Sequence, residues 1–192
     1  MSLNLLTPPA NGSRLAPVES RHAPLFTFAL LTVSCALASF ALACATPFAA
    51  FAVIAAAMLP LRPALLVVTG AWLVNQGIGF GALHYPIDGN TMLWGLVIGI
   101  AALAATAISA TILRALPRTN TPLALALALI GGYGVYELGL LAATPFLGGA
   151  GDFTAAIIGQ IGFTNAAWLL GLVAACEIVR LANPFKRGHM AS

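Results

Sequence analysis

From residue 24 onward the chain alternates long apolar runs with short breaks of proline, glycine and polar residues. Runs as long as a bilayer is thick predict membrane-spanning helices. The first covers about 25–45, and the break Thr46-Pro47 separates it from a shorter second run ending at Leu59. Pro60 and Pro63 mark a tight turn, and a third span follows over about 63–83. The turn formers His84-Tyr85-Pro86-Ile87-Asp88-Gly89-Asn90 close it. A fourth span covers about 91–115, and Pro117 to Pro122 form a polar connection. The fifth runs to about Ala143, Pro145 to Gly151 make a glycine-rich loop, and the sixth occupies about 153–181. The second run, at about 13 residues, is too short to cross ~30 Å of hydrocarbon at ~1.5 Å per residue. It must tilt, borrow flanking residues or sit in a thinned bilayer; such short spans either border binding sites, as in transporters, or are Ala-rich segments that simply pack tightly.

Composition agrees with the pattern. Of 192 residues 60% are hydrophobic and 7% charged, and the mean hydropathy is +0.98. No polar shell for a soluble domain can be built from that. The net charge of +3 does not make a nucleic-acid patch, because the eight basic residues are scattered. Their spacing instead reads as topology. Arg14 and Arg21 precede span one, Arg62 lies between two and three, Arg114 and Arg118 between four and five, and Arg180, Lys186 and Arg187 follow six. The alternate connections hold no Lys or Arg, while Asp88 and Asp152 sit in two of them. Basic residues gather in cytoplasmic loops. The expectation is therefore an all-α membrane protein of six transmembrane helices, with both termini cytoplasmic and lipid as its solvent. Residues 1–23 read as a flexible N-terminal tail, 24–183 as the transmembrane domain and 184–192 as a C-terminal tail.

Polar side chains within the spans mark the places where chemistry is possible, since each needs a partner, a water-filled space or a ligand. Asn75 and Gln76 lie roughly 20 Å above the cytoplasmic edge by helical rise. Glu137, with Tyr133 and Tyr136 on the adjoining turn, reaches a similar level. Gln160 lies roughly 12 Å below the outer edge, and Asn165 is near the middle. Three helices thus contribute amides, phenols and a carboxyl to one outer layer, open toward the 84–90 loop. The amides serve either to bridge helices or to line a ligand cavity; an intramembrane carboxyl more often marks a site or proton relay. Trp72 and Trp94 are placed either as ordinary packing aromatics or as walls for a large, partly apolar ligand. His84, at the outer boundary beside Tyr85, is either solvated or a metal ligand.

Other features point to packing. Cys35, Cys44 and Cys176 sit in apolar runs without metal-ligand spacing. Gly77-x3-Gly81 and Gly95-x3-Gly99 predict close helix approach, and the Ala-x3-Ala pairs of span one serve equally as packing or as a docking face for another membrane subunit. No Walker A, HExxH or GxSxG pattern occurs. The serines of the spans have no histidine partner in the membrane, which disfavours hydrolysis.

The stretch Trp72-Leu-Val-Asn75-Gln76-Gly-Ile-Gly-Phe-Gly81-Ala-Leu-His84-Tyr85-Pro86, followed by Met92-Leu-Trp94-Gly95, resembles the BtuM family. These are small bacterial membrane proteins similar to the substrate-binding S-components of energy-coupling factor transporters. The resemblance implies an S-component-like six-helix bundle that takes up vitamin B12, with cobalamin entering from the periplasmic side. With no motor of its own, such a protein works either alone, by toppling or gating, or docked on an energising module of the energy-coupling factor type. Members of the family carry a cysteine in this region that ligates cobalt and promotes loss of its cyanide. This chain has Phe80-Gly81-Ala82-Leu83 there. Cyanide removal is thus not expected, and His84 becomes the best available cobalt donor, with Tyr85 second. Two other classes stay open: a membrane enzyme acting on a corrinoid or a lipid, and a ligand-free structural subunit.

Overall fold

The structure, a computed structural model, describes residues 13–42, 45–117 and 119–182. It is all-helical: α1 (Ala23–Leu42), α2 (Phe48–Met58), α3 (Leu61–Gly81), α4 (Gly89–Ala115), α5 (Thr121–Leu147) and α6 (Ala155–Ala182), with one 3-10 turn at Ala150–Asp152. Every helix but α2 is long and apolar enough to cross a membrane.

The short run is buried among the other helices rather than placed on the surface of the bundle. Ten of the eleven residues of α2 are buried, and it touches all five other helices. An apolar helix without a polar face is what a central position requires, and the small side chains of Ala49, Ala50, Ala52, Ala55 and Ala57 let its neighbours close in. Phe48, Phe51 and Ile54 fill the spaces between them. α6 leans on α2 along the stripe Asn165, Leu169, Leu172 and Cys176, with Trp168 edge-on to Phe51 at 6.4 Å. Cys35 and Cys176 are free and buried, while Cys44 lies outside the described residues.

One end of the bundle gathers the charge. Met58, at the close of α2, meets Thr27 in the second turn of α1 and Cys176 late in α6, so these ends share a level. Arg14, Arg21, Arg62, Arg114 and Arg180 lie at this end, whereas Asp88 and Asp152 lie at the other. Arg118, Lys186 and Arg187 lie outside the described residues, as do 1–12 and the expected C-terminal tail.

Residues 13–15 do not form the loose tail expected for 1–23. The backbone N–H groups of Arg14 and Leu15 both donate to Ala57 O, at 2.7 and 3.2 Å. The Arg14 guanidinium donates to the carbonyls of Leu113, Leu116 and Thr119. The first two are groups that the C-terminus of α4 leaves without intrahelical donors, and a cation there also meets the negative end of the helix; Thr119 belongs to the connection to α5. Burial pulls the pKa of Arg14 below the usual arginine value.

The fifth helix also departs from expectation. It does not stop near Ala143 but continues through Pro145 to Leu147, ending at Gly148 with φ 82°. A proline cannot donate to the carbonyl four residues back. The Thr144 hydroxyl does so instead, reaching Leu141 O at 2.9 Å.

Candidate functional site

The polar residues of the outer layer do not face one shared space. They form two groups that meet at the N-terminus of α2. By helical rise, eleven residues climb only about 16 Å of a ~30 Å layer, so α2 begins near mid-depth.

The first group joins α1, α3 and the α1–α2 connection. Asn75 donates to Ser39 Oγ at 2.9 Å and Thr46 Oγ1 at 3.0 Å, and Gln76 donates to Asn75 Oδ1 at 3.2 Å. These amides therefore bridge segments. Trp72 is directed to the α3–α4 seam: its indole N–H donates to Gly95 O at 2.8 Å. The ring lies so close to Gly99 that a Cβ there would come within 2.7 Å of it. Gly95 faces the Gln76 amide in the same way, so the Gly95-x3-Gly99 pair does permit close approach. Gly77 and Gly81 do not, since nothing lies within 4 Å of a side chain at either. Gly79 is the packed member of that stripe, covered by the Tyr85 ring.

The second group joins α5, α6 and α2. Asn165 accepts from Ala50 N at 3.0 Å, capping the first turn of α2 from another helix, and its amide nitrogen returns to Ile161 O at 3.0 Å. Pro47, at the N-cap, has no side-chain acceptor to supply this. Tyr136 is buried against Phe48, ring centroids 6.5 Å apart. Tyr133 crosses to α6, donating to Ile158 O at 2.6 Å with its ring over Gly162. Glu137, one turn further, interacts with the Tyr133 hydroxyl. Its Oε1 is buried and has no hydrogen-bond partner among the described residues. An unmatched carboxyl oxygen at this depth is costly; among the described residues the other buried side-chain oxygen without a partner is the Thr32 hydroxyl of α1, which is uncharged.

The remaining candidates lie elsewhere. Gln160 is exposed on the outer surface of α6 and belongs to neither group. Its exposure follows from α6 packing on the short α2, which leaves the first turns of α6 without a neighbour on that side. Trp94 is half-buried, 3.7 Å from where a Cβ on Gly149 would stand. His84 is exposed in the left-handed region, φ 55°. The cause is local: α3 ends with Tyr85 N donating back to Gly79 O at 3.0 Å, a helix stop whose penultimate position ordinarily takes glycine. No group of three or more metal-ligating side chains occurs among the described residues.

Ser39, Thr46, Phe48 and Gly162 complete these groups although none stands out in the sequence. The only advance signal was Thr46, adjacent to the Pro47 break.

Comparison with protein-family models, with curated proteins and with solved structures finds no match to this chain.

Proposed function

We propose that the chain is a substrate-binding transport protein of the bacterial inner membrane, S-component-like in architecture, with both termini cytoplasmic and cobalamin or a related corrinoid as its cargo. The gathering of the described basic residues at one end of the bundle supports the orientation. The observation that carries the binding role is Glu137. Its Oε1 lacks a partner among the described residues at the level where α2 begins, close to Tyr133 and Tyr136, in a bundle whose membrane-depth amides other than Gln160 are hydrogen-bonded. Half-helix N-termini that begin at mid-depth are a recurring setting for transporter sites. A corrinoid brings peripheral amides for such a carboxyl and an apolar macrocycle for aromatic walls. The division of the polar layer supports assigning this role to Tyr133, Tyr136 and Glu137. Asn75, Gln76 and Asn165 hold the helices that flank it. His84, at the outer end of α3, is the candidate cobalt donor, and an energising module of the energy-coupling factor type is the candidate partner.

The test is titration of the purified protein with cyanocobalamin, followed by absorbance. Binding with the cyanide ligand retained is expected, weakened about tenfold or more in Glu137→Gln. B12-dependent growth of an uptake-deficient strain then reports transport. No binding at millimolar corrinoid, or wild-type affinity in both Glu137→Gln and Glu137→Leu, ends the reading. Loss of the cyanide on mixing points to an enzyme instead.

A further inference from the structure

At the basic end of the bundle, far from Glu137, the segment from Ser13 to Arg21 bridges the helix ends and encloses a cavity of about 1150 Å³. The bridge is fixed by the bonds from Arg14 to α2 and α4 described above. The floor is apolar, made of Met58, Leu59, Pro60 and Leu113, and three guanidinium groups line the walls: Arg14, Arg21 and Arg114. Glu19 is the single carboxylate of the lining and is held by Arg21 at 2.8 Å. Three cations less one anion leave the lining at +2. Arg114 has no acidic partner among the described residues.

An apolar floor under a cationic wall selects a molecule that is apolar at one end and anionic at the other. The volume exceeds the ~300–1,000 Å³ typical of small-molecule sites. It lies where the spanning helices leave the hydrocarbon, the level at which lipid headgroups sit. A soluble anion would leave the floor uncovered, whereas a phospholipid reaches it laterally without leaving the bilayer. We propose that this cavity holds the phosphate headgroup of an anionic membrane phospholipid, with Arg21 and Arg114 on the phosphate oxygens and the upper acyl methylenes on Met58, Leu59 and Leu113. Bound there, the lipid joins the N-terminal bridge to α2 and α4 and stabilises that end of the bundle by mass action.

The test uses the full chain in a neutral detergent, titrated with phosphatidylglycerol, with phosphatidylcholine and with inorganic phosphate. Phosphatidylglycerol is expected to raise the thermal unfolding midpoint and to survive as an adduct in native mass spectrometry; the other two are not. Both Arg21 and Arg114 are exposed, so the double variant R21Q/R114Q folds. Its phosphatidylglycerol affinity is expected to fall roughly 30-fold, the equivalent of about 1 kcal/mol of headgroup attraction lost per arginine near an anionic surface. Four results overturn the proposal. They are an equal effect of phosphatidylcholine, an equal effect of inorganic phosphate, an unchanged affinity in R21Q/R114Q, and binding that appears only after removal of residues 1–12. The last would make the chain's own N-terminus the occupant. None of these outcomes bears on corrinoid binding at the other end.

Discussion

The side-chain oxygen of Asn165, on α6, accepts the backbone N–H of Ala50, in the first turn of α2, at 3.0 Å. A helix that begins in the middle of a membrane cannot hand its first N–H groups to water. With Pro47 at the N-cap, the acceptor has to come from another helix. Asn165→Leu leaves that N–H unmet and is expected to cost about 1–3 kcal/mol. Thr164→Val, one position away, removes only a hydroxyl that returns to Gln160 O on its own helix and is expected to be nearly neutral. Thermal unfolding of the two variants in detergent checks the contrast; equal losses would deny the cap.

That bond shows where sequence reading reaches its limit. The six helices were legible because proline breaks and apolar runs are local features, and each boundary except that of α5 falls close to where the pattern put it. The positions of Asn165 and Asn75 along α6 and α3 were legible too, since rise per residue is nearly constant. Their direction was not. Whether Asn75 turns toward α5 or toward Ser39 and Thr46 depends on how α1 and α3 rotate about their axes. In an Ala-rich chain with weak amphipathic asymmetry no pattern reports that rotation. The role of Arg14 escaped for a related reason: a charge near a terminus counts toward topology, and nothing local announces the carbonyls of a helix a hundred residues away.

Pro145 sits inside α5, and the Thr144 hydroxyl takes the place of its missing N–H at Leu141 O. Thr144→Val is therefore expected to cost about 1 kcal/mol. In the background Pro145→Ala the backbone N–H is restored, and the same threonine substitution should then cost only a few tenths of that. Unfolding of the four proteins of this cycle measures the coupling. Additive effects would mean that the hydroxyl does not substitute for the backbone donor.

His84 holds φ 55° at the end of α3, a conformation that costs a residue with a side chain roughly 1–2 kcal/mol and glycine almost nothing. His84→Gly is expected to raise the unfolding midpoint. If the imidazole serves as cobalt donor, the same variant also shifts the visible spectrum of bound cobalamin toward that of the free corrinoid. A variant that is more stable and spectrally unchanged would make the residue a strained helix stop without a ligand role.

Asp88 caps α4, its carboxylate accepting from Thr91 N at 2.8 Å and from the Thr91 hydroxyl at 3.1 Å. The backbone N–H of Thr91, chief among these donors, holds the Asp88 carboxyl below the usual carboxylate range. A group whose folded pKa is depressed adds stability that is fully present above its unfolded pKa, near 3.9. That stability disappears as pH falls through the lower folded value. The expected result is a flat unfolding midpoint above about pH 5 and a decline beginning below about pH 4. Asp88→Asn keeps an acceptor for Thr91 but cannot titrate, so its midpoint should lack this part of the decline. The two curves converge at low pH if the cap is the cause, and stay parallel throughout if it is not. Because the 84–90 end of the bundle lies opposite the basic cavity, adding phosphatidylglycerol should shift both curves together and leave their difference unchanged.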